Sequence, residues 1–319
     1  MKQWIIVAVK AALTVGLAWW LLGQVEWDSV LDRLRGLDVM LLGSAFAAVL
    51  CAFSLLIVRW RAVNTGISIE LSLGQTIRFS WIGAFFSQTL PSTIGGDAVR
   101  IWYLYRSGET LVRATSSLVL DRICGLSGLL LIVLFSLPLV FEFVHSAPAR
   151  WGLVVLVGGV ATLFAALVIV GRFRIDFLDR WAMTRSVLYI ARDAVALFQN
   201  PLAACIAVLS ASSIQFMVIL TVWLVGQSMG GIVTFTQCIA LVPPVVLAAA
   251  IPVSIAGWGL REGAMVVVLG YVGVSATDAI TLSVILGLLL TAAGLPGGVV
   301  WLLSGCEKPV PQKNFKDTT

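Results

Sequence analysis

Residues 91 to 100 read PSTIGGDAVR and residues 252 to 261 read PVSIAGWGLR. Pro91 matches Pro252, Ile94 matches Ile255, Gly96 matches Gly257 and Arg100 matches Arg261. In each stretch proline removes a backbone donor, and glycine permits a tight turn and close backbone approach. A helix restarting at Gly96 or Asp97 presents unpaired N–H groups where an anion can bind. Asp97 can equally cap that helix with its own carboxylate. Arg100, Tyr103 and Arg106 recur every third residue and share roughly one helical face. A guanidinium holds a phosphate through two parallel hydrogen bonds, and a tyrosine suits a headgroup zone. The same two arginines also fit as loop residues reaching to a membrane surface.

Further charges stand inside apolar sequence: Asp121 with Arg122, and Arg261 with Glu262. An unpaired charge at membrane depth costs at least a few kcal/mol, so internal partners are expected. Asp121 and Arg122 are sequence neighbours that do not face each other and need other partners, which Arg100 or Glu262 could supply. Gln88 and Gln215 are weaker polar candidates, since a lone amide often only bridges helices.

The elements that must position these residues read as membrane helices. The chain has 319 residues, of which 60% are hydrophobic and 12% charged, about half the charge of a soluble domain. Mean hydropathy is +1.02. Apolar segments at 4–22, 39–58, 114–141, 152–171, 201–226 and 279–304 are each long enough to cross a bilayer core of about 30 Å. The first reads as a retained anchor, because no small-residue cleavage pattern precedes Glu26. Regions 79–94 and 232–275 are interrupted by proline, glycine and charge. Residues 172–198 place arginines around Phe177, Trp181 and Leu188, a pattern for an interfacial helix near anionic headgroups. Five scattered cysteines without a paired spacing read as small hydrophobes. Trp19, Trp20, Trp60, Trp81, Trp102 and Trp301 lie near the proposed membrane edges as an aromatic belt.

Arginine and lysine gather at 59–78, 100–113, 172–192 and in the tail, which assigns those loops and both termini to the cytoplasmic side. Segment 39–58 then ends inside and segment 114–141 begins inside. Residues 79–94 and 97–110 must therefore enter and leave by one face, as a surface-lying pair or a re-entrant hairpin turning at STIGG. For 232–275, two crossings and a dip from outside are equally compatible with parity. If the second region dips, the two motifs form an inverted pair, the arrangement of alternating-access proteins. The fold class expected is all-α: a polytopic membrane protein of about six spanning helices and two broken or re-entrant hairpins, with the two motifs either a candidate inverted repeat, a repeat in one direction or two unrelated helix breaks.

LPSTIGGDAVR at 90–100, ATSSLVLDR at 114–122 and PVSIAGWGLREG at 252–263 closely resemble the lysylphosphatidylglycerol synthase transmembrane family, also called the flippase-like domain family. The matching positions are Pro91, Gly95, Gly96, Asp97 and Arg100; Asp121 and Arg122; and Pro252, Ser254, Gly257, Gly259, Arg261 and Glu262. Ala256 stands where the family pattern has glycine, and Ser92 and Thr93 replace a more glycine-rich lead; no charge is lost. The resemblance runs from Arg59 and Trp60 to the last hydrophobic helix. It implies one flippase-like domain over residues 1–305 and a short cytoplasmic tail at 306–319. Larger members carry a soluble aminoacyl-transferring domain, for which the 15 residues after Ser304 leave no room, so synthase activity is not expected.

What the resemblance implies is translocation of a phosphate-bearing, polar-headed lipid between leaflets of a bacterial cytoplasmic membrane. The expected binding set is Gly95, Gly96, Asp97, Arg100, Tyr103, Arg106, Asp121, Arg122, Ser254, Gly257, Arg261 and Glu262. No catalytic residue, metal, cofactor or nucleic-acid partner is expected; a second copy or a lipid-modifying enzyme is an expected protein partner. No GxxxxGK[ST] phosphate loop occurs, so movement would be passive or ion-coupled. Two other classes fit the same residues. One is a membrane enzyme transferring a headgroup or glycosyl unit, with Asp97, Asp121 and Glu262 as bases or cation ligands; the other is a non-catalytic partner of a lipid-modifying enzyme.

Overall fold

A computed structural model describes residues 36–89, 95–172, 182–249 and 259–303. The segment 4–22, the turn residues 90–94, Phe177 and Trp181, the stretch 250–258 with Pro252, Ser254 and Gly257, and the tail lie outside the described residues. Ten helices and no strand occur among the described residues. They are α1 (Val39–Gly66), α2 (Leu73–Thr89), α3 (Gly95–Arg106), α4 (Leu111–Phe143), α5 (Ala147–Arg172), α6 (Ala182–Gln199), α7 (Pro201–Ser228), α8 (Phe235–Ala249), α9 (Leu260–Gly270) and α10 (Ala276–Leu303). α1, α4, α7 and α10 are long and apolar enough to span a membrane, so the protein is a polytopic, all-helical membrane protein.

Local chemistry sets the ends. The Asp38 carboxylate accepts from the N–H groups of Met40 and Leu41 at 2.8 and 3.2 Å. The Asn200 amide caps Ala203 N–H at 3.2 Å ahead of Pro201, whose missing N–H costs nothing in a first turn. α2 and α8 start with the same device. Ser72 and Gln75 exchange side chain–backbone hydrogen bonds at 3.1 and 3.2 Å, and Thr234 and Gln237 do so at 2.9 and 3.3 Å. Each is a capping box that satisfies two end donors reciprocally.

The element order repeats. A long helix, two short helices and a long helix (α1–α4) recur as α7–α10, with α5 and α6 between them. The packing repeats as well. α1 lies along α7, α2 packs on α10 while α8 packs on α4, and the pairs α2–α3 and α3–α4 correspond to α8–α9 and α9–α10. α1 and α7 run antiparallel: Asp38 N–H donates to the Ser228 carbonyl at 3.3 Å, and at the other end Gly66 abuts Ala203.

That antiparallel axis defines two faces of the molecule. α2 begins beside the end of α1, and Arg113, at the start of α4, donates to the carbonyls of Ile67 and Ser68 at 2.9 and 2.8 Å. This is the near face. α8 begins beside the end of α7, where Gln227 donates to the Val233 carbonyl at 2.8 Å. This is the far face. The short arms have 12 residues in α3 and 11 in α9, about 18 and 17 Å of rise, too little to cross. The two pairs therefore enter the helix bundle from opposite faces as broken hairpins, with short return arms that do not cross it.

Glycines let the hairpin arms approach their neighbours. A Cβ on Gly297 of α10 would stand 1.9 Å from the Trp81 carbonyl of α2, and one on Gly128 of α4 would stand 2.6 Å from the backbone of Ala211 of α7. Such contacts supply the close van der Waals packing that joins helices where lipid gives no hydrophobic drive.

Candidate functional site

The near hairpin places α3 against α2 through facing glycines. A Cβ on Gly96 would lie 2.1 Å from the Gly83 carbonyl, and one on Gly83 would lie 2.7 Å from Cγ of Arg100. This clearance brings the buried Asp97 and Arg100 to α4 at the level of Asp121. Asp97 pairs with Arg100 one turn along α3, and its other oxygen accepts from Nε of Arg122 at 2.6 Å. Asp121, with no exposed surface, accepts from Nε and Nη2 of Arg59 at 2.7 and 3.1 Å and lies 3.5 Å from Nη1 of Arg100. The order is Arg59, Asp121, Arg100, Asp97, Arg122: among the described residues, three cations alternate with two anions.

Neighbouring groups fix this chain. Arg59 lies across Gly125, where a Cβ would come within 3.0 Å of its Nη1. The Arg100 guanidinium stands 5.2 Å from the Trp60 ring centre. Trp60 Nε1–H donates to Ser117 at 2.9 Å, and Ser117 donates to Asn64 at 2.6 Å. The exposure is graded. The side chains of Asp121, Arg100 and Asp97 are 0, 7 and 9% exposed, whereas that of Arg122 is 54% exposed. Four members are locked in the fold, and the fifth presents its cation outward.

The far hairpin carries a smaller counterpart. Gly259 holds φ +86°, a backbone glycine adopts without strain. Its N–H donates to the Glu262 carboxylate at 2.6 Å, fastening the start of α9. The other Glu262 oxygen accepts from Arg261 at 2.7 Å and from Ser283 of α10 at 3.0 Å. Arg100 to Asp121 is 21 residues and Arg261 to Ser283 is 22, so the two groups occupy corresponding places in the two halves. Among the described residues the far group holds one cation and one anion.

Helical rise puts Arg59 and Asp121 about 10–15 Å inside the near end of their helices, and Arg261 and Ser283 similarly far from the far end. The expected partners are thus found in part. Arg100 does supply a partner for Asp121, and Asp97 supplies one for Arg122, but Glu262 pairs with its own neighbour Arg261. Asp97 stands in the first turn of α3 with two arginine contacts, and the residues just ahead of α3, on which its capping role depends, lie outside the described residues. Tyr103 stacks on Phe79 at 4.9 Å within the apolar packing, and Arg106 stands 5.1 Å from the Trp102 ring. Gly95 opens α3.

Two members escaped the sequence reading. Arg59 counted there as a near-face loop residue and Trp60 as part of an aromatic belt, yet both are buried. The signal was available: Arg59 and Trp60 follow an apolar run without a breaker, so α1 continues past its first charge. Trp102 and Trp301 remain exposed, at 48 and 44%, as membrane-edge residues do. Cys51, Cys124, Cys205 and Cys238 are free thiols. Among the described residues no three His, Cys, Asp or Glu side chains gather where they could hold a metal ion.

Comparison with known proteins agrees with this architecture. A UPF0104 membrane protein of Pyrococcus horikoshii is 24% identical over 197 residues, covering 60% of this chain and 55% of that relative. The chain therefore spans about half the length of the curated relative it matches. Residues 7–297 match the family described as the lysylphosphatidylglycerol synthase TM region. Helices, hairpin motifs and a match over nearly the whole chain lead to one conclusion: this protein belongs to the lysylphosphatidylglycerol synthase TM region family.

Proposed function

We propose that the protein moves a phosphate-bearing lipid between the leaflets of a cytoplasmic membrane, with its arginine-rich near face and both termini in the cytoplasm. The observation that carries this reading is the convergence of three arginines from three helices on two buried aspartates, with Arg122 half-exposed at the end of the series. A cation partly buried in a membrane protein strengthens its hold on a phosphate, because little water competes. In this reading Asp97 occupies Arg122 until a phosphate takes its place. Arg59 and Asp121 keep Arg100 in position meanwhile.

The far group then receives the headgroup about 15 Å further along the membrane axis. Arg261 meets the phosphate and Glu262 balances the arginine or meets an amine of the headgroup. Acyl chains stay in lipid throughout. The polar groups replace part of the headgroup's hydration, which is the costly component of crossing. The positive-inside pattern and the opposed hairpins support this orientation and this two-station path.

The test is leaflet-resolved transfer of fluorescent phosphatidylglycerol in proteoliposomes. Arg122→Gln and Glu262→Gln are each expected to slow transfer at least tenfold; Arg122→Gln, which leaves Asp97 paired with Arg100, should keep the unfolding temperature within a few degrees of wild type, whereas Glu262→Gln, which strips the buried partner from Arg261, should lower it. Transfer at the wild-type rate in both variants rejects the assignment.

A further inference from the structure

The seam between the two halves carries a second polar feature away from both charged groups. Where the last third of α1 meets the first turns of α7, a cleft of about 220 Å³ opens on the outer surface. Its floor is made by the buried Ala62 and Ala203, whose small side chains leave the gap. Val58 and Ile206, 46 and 37% exposed, form its walls. Just beyond, the seam closes: a Cβ on Gly66 would stand 2.4 Å from Leu197 and 3.3 Å from Ala203. Arg61 lines the cleft one turn closer to the near face than Val58, with Thr65 and Asn200 beyond it at the ends of the two helices. Arg61 is exposed, and no carboxylate pairs with it among the described residues.

We infer that this cleft binds one anionic glycerophospholipid of the near-face leaflet, its phosphate on Arg61 and the upper part of an acyl chain between Val58 and Ile206. The polarity runs as an amphiphile requires. α1 and α7 are both spanning helices, so the apolar walls lie in the hydrocarbon region and the guanidinium lies toward the surface. At about 220 Å³ the cleft is smaller than the ~300 Å³ at which pockets for whole drug-sized ligands begin. It therefore takes a segment of chain, and the rest of the lipid stays in the bilayer. An isolated phosphate would gain nothing from the apolar walls, and an uncharged lipid would gain nothing from Arg61. The chain would wedge between helices from opposite halves, so a bound lipid ties the halves together at the near face. This site is separate from the translocation path and stands on the cleft and Arg61 alone.

Native mass spectrometry of the purified full chain, titrated with phosphatidylglycerol or phosphatidylcholine, tests it. Wild type should retain one phosphatidylglycerol about fivefold more tightly than phosphatidylcholine, the preference one near-surface arginine supplies. Arg61→Gln should abolish that preference. Val58→Trp, which fills the cleft from an exposed position, should remove the bound lipid itself. Arg122→Gln should keep both, which separates this site from the proposed transport site. Wild-type retention of phosphatidylglycerol in Arg61→Gln or in Val58→Trp would overturn the inference, as would loss of the lipid in Arg122→Gln.

Discussion

Asp121 is the residue on which the near group turns. It has no exposed surface and holds two arginines from two other helices. Removing one partner of a buried pair leaves an uncompensated charge, so Asp121→Ala should destabilise the protein by roughly 3–5 kcal/mol. The double variant Arg59→Met with Asp121→Leu, which removes the inner pair together, should recover much of that loss; unfolding in detergent, followed by tryptophan fluorescence, measures both. Asp193 of α6 gives a pH-dependent case outside the spanning helices. Burial pushes its carboxyl up, against the opposing hydrogen bond from Ser116 and the charge of Arg113. Its contribution to stability is complete below about pH 4 and is lost as pH rises through the raised folded value. Asp193→Asn, which keeps an oxygen for Ser116, should therefore melt above wild type at pH 7 and match it below pH 4. An equal melting difference at both pH values would contradict this. At this scale the buried ion pairing is legible in the sequence where charge interrupts apolar runs, as at Asp97, Asp121 and Arg261. It was misread at Arg59, because a cation ending an apolar run looks the same whether the helix stops or continues.

The elements rest on matched devices that the sequence displays once one knows where to look. Ser72 with Gln75 and Thr234 with Gln237 mark the start of each hairpin 19 and 18 residues before Pro91 and Pro252. This second internal match reinforces the one between the proline-glycine motifs. The long helices were legible from hydropathy alone, with ends displaced where charges continue the helix: segment 39–58 belongs to a helix of 28 residues ending at Gly66. Which glycines carry packing was not legible, since the requirement comes from another helix. Gly96 and Gly297 face backbone at 2.1 and 1.9 Å, whereas Gly263 faces open space. Alanine at Gly96 or Gly297 should cost roughly 1–3 kcal/mol of stability, and Gly263→Ala should be neutral within about 0.5 kcal/mol. Unfolding curves for the three variants decide this, and equal effects would contradict the close approach.

At the scale of the molecule, two similar halves stand inverted, but their charges are unequal. The near half concentrates three arginines and two aspartates; the far half has one arginine, one glutamate and a serine at the corresponding level. The inversion was foreshadowed by the paired motifs, while parity left it open. The inequality arises because Arg59, Asp121 and Arg122 of the first half have no charged counterparts beside Arg261: Ser283 and Val284 stand where the first half has Asp121 and Arg122. The account depends above all on hairpins that dip from opposite faces, and spin-label distances test it most directly. Labels at Ala98 and Gly263, near the hairpin tips, should lie closer together than labels at Ser107 and Tyr271, at the hairpin bases. Helical rise makes the difference roughly 20–25 Å. Tip-to-tip and base-to-base distances of similar length would place both hairpins on one face and contradict the account.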